Sequence, residues 1–569
     1  TKWDATITVD NTKEQGSNPK RVEAKDKAKT THLSLLKKPV NNIMSNNNLY
    51  KITGAEYYIY QQSGKWGVGD LDANAALGKD DKSRYDYLKS KQQIAILRVV
   101  NESGNVVVKY NNYNRGEEEK SSVLTNLPID TYYCIEYKGP DMTSYGCNGY
   151  DISKKVYTTT TKVYQQVAFE ETPGSGAVLE PYKLDPSPIN VYKLNAEGER
   201  VDNVGKLEGA VFKLEYWDVT EANNKANATD HRVWYLQTKK GSDNKIRCLY
   251  KSDYLATGYT SSELFTYSGS SGTGYGYALG YYELSEVKAP EGYKISGNKM
   301  TEASTGTISN NKFVFTVIDK NGVPTTVSVD NQPLEDITVL EQPKRGNLQF
   351  IKVKHDTGKP IANVPFKLER VDDAGNVLET HVLVSDNNGL VSTYLTTGDE
   401  YNNANDTYLN DTTATISSNN KVWFGSTYNE AEDAGKNALV FGKYRLSELR
   451  CDANEGYQLE ENIPFEVDED RQLINLGTLG NSPHPQIETT AKDSRSAGHF
   501  GTAYKDSSII DTVNYKYLTE NTKYVVKGKL MIRNEDGTAS ETSPLIESKS
   551  NEFTTPTTTN LDKHNISGN

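Results

Sequence analysis

The feature that most constrains this chain is a lysine that recurs on the apolar face of an alternating segment. Such segments occur three times, and they end in Lys37, Lys193 and Lys352. Residues two positions apart in a β-strand point to the same side, so each lysine shares a face with two apolar residues. A lone lysine in this setting is usually a surface residue whose amine reaches water. A buried amine instead needs a partner inside the fold.

A glutamate recurs downstream of each lysine. It ends a Tyr-x-apolar-x-Glu pattern, which an alternating strand turns toward one apolar face. The lysine-to-glutamate separations are 99, 93 and 96 residues, although the loops between them differ greatly in sequence. Near-constant spacing across unrelated loops favours a fixed role for each pair in the core. The three glutamates are Glu136, Glu286 and Glu448.

These landmarks predict three modules of similar design. Each one closes with a strand that is followed by a proline, which places boundaries near residues 175, 343 and 484. The C-terminal residues lack the landmarks and are predicted to form a different domain. The predicted organisation is 1–29 as a strand segment or the end of a preceding module, 30–175 as module 1, 176–343 as module 2, 344–484 as module 3 and 485–569 as the C-terminal domain.

Composition supports an all-β surface protein. The 569 residues include 38 tyrosines but only 4 methionines and 4 cysteines, and mean hydropathy is −0.70. Tyrosine-rich strands with polar turns are typical of thin β modules. The net charge of −12 argues against nucleic acid as a partner. No apolar run is long enough to span a membrane. The chain starts without an initiator methionine, so we expect a piece of a longer protein that is anchored to peptidoglycan through other regions.

Module 3 carries a set of residues that can form a covalent crosslink. We place Lys352 on the first strand, Asn481 on the last strand and Glu448 between them in an apolar pocket. Burial lowers the pKa of an amine and raises the pKa of a carboxyl group, so both groups can be neutral. A neutral amine can attack the asparagine amide while Glu448 acts as general acid and base, and ammonia leaves. Glu286 and Glu136 occupy the equivalent positions in the other modules.

The quoted residues also resemble a known family. The runs are LKK, GAEYYIY, YYELSEVKAPEGY and GNLQFIKVKHDTGKPIANVPFKLER, and they are similar to SpaA-like or Cna-B-type domains of Gram-positive pilins and surface adhesins. The resemblance covers residues 30–484. It implies an immunoglobulin-like, or transthyretin-like, β-sandwich for each module, arranged in an elongated tandem array. It also implies a Lys–Asn isopeptide bond with a glutamate catalyst in module 3.

Modules 1 and 2 depart from that pattern at the acceptor. Glu171 and Glu341 stand where asparagine is expected, and a carboxyl group is a poorer acceptor for an amine. Asn331 also precedes a proline by two residues and is an alternative acceptor for Lys193. We favour Glu341 as the structural equivalent, which leaves Lys193 without a crosslink. Module 1 has no convincing acceptor, so Lys37 is expected to form an ion pair.

The C-terminal residues resemble the start of a VaFE-repeat domain, a sandwich that can carry an internal Thr–Gln ester bond. Thr489 or Thr490 matches the nucleophile strand of that family, and Asp511 matches its supporting acid. The histidine and glutamine of the family lie near the end of the domain, and we expect them beyond this chain. The alternative is a plain threonine-rich strand.

Cysteine spacing suggests one disulfide and no metal site. Cys134 and Cys147 are close enough along module 1 to pair, whereas Cys248 and Cys451 are expected to be single thiols. No Cys or His spacing typical of a metal site occurs, so neither metal nor cofactor is predicted.

These features predict an extracellular stalk or adhesin on a bacterial cell wall, stabilised by isopeptide bonds and presenting loops to a host protein or glycan. The alternative is a specific host-protein-binding protein, for example one that binds an immunoglobulin or a matrix component. Tyrosine-rich insertions at 250–282 and 401–428 favour binding, because tyrosine supplies contact area at low entropic cost. They can equally be loops between strands. A glycan hydrolase is disfavoured because no carboxylate pair is recognisable, and no enzyme activity beyond a single self-crosslinking turnover is expected.

Overall fold

The computed structural model describes most of the chain. The described residues are 29–39, 47–64, 69–72, 74, 80–111, 118–119, 122–140, 154–180, 182–186, 189–195, 206–269, 272–302, 308–320, 323–394, 403–409, 413–417, 420–502, 505–556 and 566–568. They form successive groups of packed β-sheets, which confirms the prediction of an all-β chain of tandem sandwich modules.

Module 1 consists of a six-stranded sheet, β6-β5-β4-β3-β8-β9, that faces a three-stranded sheet, β10-β1-β7, and the pair β11-β2. The helix α1 (Asp81–Lys89) follows the cap residue Asp80 and buries Tyr85 and Leu88. The strands are β1 Thr30–Leu35, β2 Lys37–Pro39, β3 Glu56–Gln61, β4 Ala95–Val99, β5 Val106–Tyr110, β6 Glu118–Glu119, β7 Val123–Pro128, β8 Thr131–Lys138, β9 Val156–Thr160, β10 Gln166–Phe169 and β11 Val178–Glu180.

Module 2 has a six-stranded sheet, β15-β16-β12-β24-β20-β21, a five-stranded sheet, β14-β13-β19-β22-β23, and the hairpin β17-β18. Two 3-10 helices, Ala222–Asn227 and Ser252–Tyr254, lie in its loops. The strands are β12 Val191–Asn195, β13 Val211–Trp217, β14 His231–Gln237, β15 Lys239–Lys240, β16 Ile246–Cys248, β17 Thr266–Gly269, β18 Gly272–Tyr275, β19 Gly280–Lys288, β20 Tyr293–Glu302, β21 Ile308–Asn310, β22 Lys312–Lys320, β23 Val323–Val327 and β24 Ile337–Pro343.

Module 3 pairs β25 with β28, β29 and β32 in one layer, and the other layer is β27-β26-β30-β31. The short helix α2 (Glu430–Asp433) and the 3-10 helices Asp406–Leu409 and Asp452–Asn454 lie in its connections. The strands are β25 Arg345–Lys354, β26 Pro365–Val371, β27 Val377–Val384, β28 Leu390–Ser392, β29 Leu439–Val440, β30 Gly442–Glu448, β31 Ile463–Val467 and β32 Leu473–Asn481.

The C-terminal domain has a three-stranded sheet, β33-β34-β37, and a two-stranded sheet, β35-β36. Several large apolar side chains on these strands are exposed, among them Ile487 at 63% and Ile510 at 58%. The strands are β33 Gln486–Asp493, β34 Ile509–Leu518, β35 Lys523–Arg533, β36 Ala539–Thr554 and β37 Ile566–Gly568.

The first strand of each module pairs in parallel with its closing strand. β12 runs beside β24, and β25 runs beside β32. In module 1 this role is split, because β1 pairs with β10 and β2 pairs with β11. Residues 178–180 therefore belong to the sandwich of module 1, and the boundary predicted near 175 lies too early.

A segment of module 1 at residues 47–50 contacts module 2. The Asn47 side chain donates to the Tyr216 hydroxyl at 2.6 Å. The Tyr50 hydroxyl donates to the Lys183 carbonyl oxygen and accepts from the Leu279 backbone N–H, both at 2.8 Å. Tyr50 is buried, so these bonds satisfy polar groups that water does not reach. Modules 1 and 2 thus contact each other through buried hydrogen bonds.

Candidate isopeptide sites

The site of module 3 lies between its two sheets. Lys352 is on β25 and Asn481 is on β32, and these neighbouring parallel strands belong to one layer. Glu448 ends β30 in the opposite layer. Alternation along β25 and β30 turns Lys352 and Glu448 inward among apolar side chains, and all three residues are buried. The sandwich thereby brings together residues that are far apart in sequence.

The three side chains form a closed hydrogen-bonded triangle. Lys352 Nζ lies 3.1 Å from Glu448 Oε2 and also donates to Asn481 Oδ1. Asn481 Nδ2 donates to Glu448 Oε1 at 2.5 Å. Burial lowers the pKa of Lys352, and the charge of Glu448 and its hydrogen bond oppose this shift only in part. The amine is therefore easier to deprotonate than an exposed lysine.

This arrangement suits an acyl transfer from the asparagine amide to the lysine amine. The nucleophile touches the amide group that it would attack, and one carboxylate contacts both the nucleophile and the leaving nitrogen. Glu448 can accept a proton at Oε2 and deliver a proton from Oε1 without a large movement. A nucleophile, an acceptor and a proton relay are thus present together.

An aromatic ring lines each site, and this feature was missed in the sequence. Phe366 on β26 lies directly across from Glu448, and its ring centroid is 5.7 Å from Lys352 Nζ. In module 2, Phe212 pairs with Glu286 and lies 5.0 Å from Lys193 Nζ. The aromatic residue recurs in the strand after each lysine. That recurrence could have indicated from the sequence that an aromatic ring lies beside each lysine.

Module 2 has a carboxylate at the acceptor position. Lys193 Nζ lies 2.8 Å from Glu286 Oε1 and is also paired with Glu341, and all three side chains are buried. Burial raises the pKa of Glu341 to about 8, and the nearby Glu286 adds to the rise while Lys193 opposes it. The site therefore holds one buried amine in contact with two buried carboxyl groups.

The register identifies Glu341 as the counterpart of Asn481. Lys193 pairs with Val339 and Lys352 pairs with Leu479, so each acceptor position follows two residues later. The alternative acceptor Asn331 is not brought to Lys193. It lies on an exposed turn with φ of 58°, and its backbone N–H bonds to Ser328. A positive φ suits asparagine in such a turn.

Module 1 forms the ion pair that was expected for Lys37. Its Nζ lies 2.7 Å from Glu136 Oε1 and donates to the Tyr57 hydroxyl at 2.7 Å. Burial lowers the pKa of Lys37, which the charge of Glu136 partly offsets. Tyr57 takes the place of the phenylalanine in the other modules and pairs across the strands with Glu136. The tyrosine hydroxyl thus gives this buried amine a further acceptor.

Glu171 is not the acceptor-position residue of module 1. Its side chain pairs with Lys155 and accepts from the Tyr157 hydroxyl at 2.9 Å. Lys37 instead pairs in register with Val178, so the position two residues later is Glu180. The sequence pattern pointed to Glu171 because the closing strand of module 1 is divided into β10 and β11, and only β11 pairs with the strand that carries Lys37.

The predicted disulfide of Cys134 is not formed in the structure. Cys134 is a free thiol on β8 with no exposed surface, and burial raises its pKa well above the ordinary range. Its side chain packs within the buried core of the chain. The proposed partner, Cys147, lies outside the described residues. Cys248 and Cys451 are free thiols, as predicted.

The predicted ester residues lie on two paired strands of the C-terminal domain. Thr490 on β33 faces Thr512 on β34, and the next pair along is Ala491 with Asp511. Thr489 and Asp511 are exposed. Gln486 is the only glutamine between residues 485 and 567, and it lies on the same strand as the threonines. A strand holds Gln486 about 10 Å or more from Thr489 and Thr490, so β33 does not bring either of these two threonines to that glutamine.

Most tyrosines of the insertion at 250–282 serve the core rather than the surface. Tyr250, Tyr277 and Tyr282 are buried, and Tyr250 packs edge-on against Trp234. Tyr259 is the exception, with 39% of its surface exposed. Part of the second insertion, including Tyr401, lies outside the described residues. Ligand binding by these insertions stays a prediction.

Neither a metal centre nor a membrane-spanning helix is present among the described residues. No group of three or more His, Cys, Asp or Glu side chains there could hold a metal ion. No helix in the described part of the chain is long and apolar enough to cross a membrane.

The C-terminal residues are similar to a known protein family. Residues 485–567 match the family model of the T-Q ester bond containing domain. The prediction of an ester-bond domain at this end of the chain is confirmed, whereas its narrower assignment as a VaFE repeat stays a prediction. No curated protein sequence matches the chain.

Several solved structures are similar to this chain over most of its length. The Bacillus anthracis TIE protein shares 14% identity over 80% of this chain and 51% of its own, with a TM-score of 0.33. This chain therefore spans about half of that protein. A streptococcal ancillary pilin shares 15% identity over 80% of this chain and 99% of its own, with a TM-score of 0.23. BcpA, the major pilin subunit of Bacillus cereus, shares 13% identity over 80% and 99%, with a TM-score of 0.24.

Proposed function

We propose that this chain is part of an extracellular stalk or adhesin on a Gram-positive cell wall, and that module 3 forms an isopeptide bond between Lys352 and Asn481 without any enzyme. The observation that carries the proposal is the buried triangle in which Glu448 contacts both the lysine amine and the asparagine amide nitrogen. The match of the C-terminal residues to an ester-bond domain supports the same class of self-crosslinking surface protein.

The reaction would proceed in two proton-coupled stages. Neutral Lys352 Nζ attacks the Asn481 side-chain carbonyl carbon, and Glu448 Oε2 takes a proton from the attacking nitrogen. The carboxyl group then gives a proton to the amide nitrogen, the carbon–nitrogen bond breaks, and ammonia leaves. The products are one secondary amide and one ammonia, and Glu448 is regenerated. The folded core supplies the proximity that makes the reaction fast.

A bond at this position would serve a load-bearing protein. It joins β25, where the chain enters module 3, to β32, where it leaves. Tension along the chain would then pass through the new amide, and the residues between the two strands would not be pulled apart. A covalent link also restricts the unfolded state, so module 3 should be the last of the three modules to melt. We expect Lys37 and Lys193 to remain uncrosslinked, because glutamates, Glu180 and Glu341, occupy their acceptor positions in the register.

Mass spectrometry of the full chain tests the proposal. After proteolysis, the wild-type protein should give a branched peptide that joins Lys352 to Asn481 with the loss of one ammonia. Glu448→Ala should abolish it and restore two separate peptides. Glu286→Ala is the matched control, because it removes the equivalent glutamate of module 2 and should leave the branched peptide in place. Recovery of Lys352 and Asn481 only in separate peptides from the wild type would refute the proposal.

A further inference from the structure

One residue of module 3 departs from a turn that modules 2 and 3 otherwise share. Module 2 reads Ala-Pro-Glu-Gly-Tyr at residues 289–293, and module 3 reads Ala-Asn-Glu-Gly-Tyr at 453–457. The backbone is alike, because Tyr293 N–H bonds to the Pro290 carbonyl and Tyr457 N–H bonds to the Asn454 carbonyl, both at 3.2 Å. Asn454 therefore stands where module 2 has a proline.

The Asn454 side chain is fully buried and reaches the site. Its Nδ2 donates to Glu448 Oε1 at 3.0 Å and to the Leu449 carbonyl oxygen at 2.8 Å. Its Oδ1 accepts from the Cys451 backbone N–H at 2.9 Å and also faces the cationic Arg450 Nη1 at 3.5 Å. One face of this amide thus caps the local turn, and the other face holds the catalytic carboxylate. Pro290 has no side-chain donor for the same task.

The two carboxylate oxygens of Glu448 have different hydrogen-bond donors. Glu448 Oε1 accepts from Asn454 and from the Asn481 amide nitrogen. Glu448 Oε2 accepts from Lys352 and from the Glu460 backbone N–H, each at 3.1 Å. Two fixed donors, one on each oxygen, therefore set the rotation of the carboxylate. In that orientation one oxygen faces the nucleophile and the other faces the leaving nitrogen.

We propose that Asn454 is a positioning residue for the self-crosslinking of module 3, which holds Glu448 Oε1 toward the departing amide nitrogen of Asn481. The inference rests on the proposed function. Without this donor, Glu448 keeps its partners on Oε2 but loses the constraint on the oxygen that must give a proton to the Asn481 amide nitrogen so that it leaves as ammonia. Loss of one hydrogen bond to a charged group should slow bond formation by about tenfold or more.

The variant Asn454→Asp distinguishes a positioning role of this side chain from a purely structural one. The new carboxylate can still accept from the Cys451 backbone N–H, so the turn keeps its cap. It cannot donate to Glu448 when ionised, and it then repels that carboxylate. When protonated it can donate again. We therefore expect the ratio of variant to wild-type rate to approach one at about pH 5 and to fall at about pH 8.

The measurement follows the branched Lys352–Asn481 peptide during cell-free synthesis of the full chain, with samples quenched in acid at intervals. Asn454→Ala should be slow at every pH, because it has no donor. Asn475→Asp is the matched control, since it adds the same charge at an exposed position on β32 and should keep the wild-type rate. Thermal unfolding of each variant in a Glu448→Ala background reports any purely structural effect.

The outcomes separate the two proposals. A wild-type chain that never forms the bond overturns the proposed function, and the inference falls with it. A wild-type chain that forms the bond while Asn454→Asp keeps the same rate at all pH values overturns the inference alone. An equal slowing at every pH with a large loss of thermal stability also overturns it, because that result indicates a structural role only. A rate ratio that depends on pH supports it.

Discussion

Glu341 meets Lys193 at the register position where Asn481 meets Lys352. Each acceptor residue follows by two positions the residue that pairs with the lysine, on a closing strand parallel to the first strand. The surrounding parts are also alike, since each lysine contacts a buried glutamate from the opposite sheet. The two sites therefore differ in the chemical group at this acceptor position and in the residue that donates to Glu448, Asn454, which is Pro290 in module 2.

The substitution Glu341→Asn should install a crosslink in module 2. It replaces a carboxyl group, whose oxygen is a poor leaving group, with an amide that can release ammonia. Glu286 is already in place as the proton relay. We expect a branched peptide that joins Lys193 to residue 341 and the loss of one further ammonia from the chain. Peptide mapping by mass spectrometry measures both.

The double variant Glu341→Asn with Glu286→Ala is the control for that experiment. It keeps the new acceptor and removes the proton relay, so it should contain no bond in module 2. If the single variant stays unlinked although it folds, the acceptor group alone does not account for the difference between the two sites.

The raised pKa of Glu341 predicts that module 2 loses stability as pH rises. The carboxyl group titrates near 4.5 when exposed and at about 8 in the folded module, because burial and Glu286 disfavour its charge. The folded state thus holds a proton that the unfolded state has released. This contribution is fully present below about pH 4.5 and is lost as pH rises through about 8. The change should be on the order of a few kcal/mol.

Calorimetry of the full chain between about pH 5 and pH 8.5 can measure this effect. The unfolding transition that belongs to module 2 should move to lower temperature as pH rises. Glu341→Leu removes the titrating group and cannot crosslink, so its transition should show a weaker dependence on pH and identify the module 2 peak. A wild-type transition that is flat over this range, or that rises, would show that the Glu341 proton is not retained on folding.

The sequence predicted the lysine and glutamate positions well, because period-two alternation and spacing report directly on which strand face a residue occupies. It could not decide between Asn331 and Glu341, since separation along the chain does not reveal which strand lies beside Lys193. It misplaced the acceptor position of module 1 because the closing strand there is divided in two. Asn454 was overlooked because its contact with Glu448 depends on the turn geometry, which has no periodic signature.

The last prediction concerns His381 in module 3. Its Nδ1 lies 2.7 Å from Asp406 Oδ2, and its Nε2 lies 3.3 Å from Glu379 Oε1. Burial alone would lower the pKa of this histidine, but the two carboxylates raise it to about 9. Glu379 also accepts from the Gly425 backbone N–H at 2.9 Å. Asp406 bonds to the backbone of β27, and Glu379 on β27 bonds to the backbone at Gly425. The imidazolium therefore lies between two carboxylates that fix the residues around 406 and 425 against β27.

The stability that His381 supplies should be fully present below about pH 6.5 and should be lost as pH rises through about 9, because the folded state keeps its proton longer than the unfolded state does. Asp406→Asn keeps an acceptor for the Val382 backbone N–H, which bonds to Asp406 Oδ1 at 2.9 Å, but removes one charge. We expect this variant to lower the pKa of His381 and to destabilise module 3 by about 1–3 kcal/mol near neutral pH. NMR titration of labelled histidines measures the pKa of His381. Titration of His381 near its ordinary pKa in the wild type would show that the two carboxylates do not hold its proton.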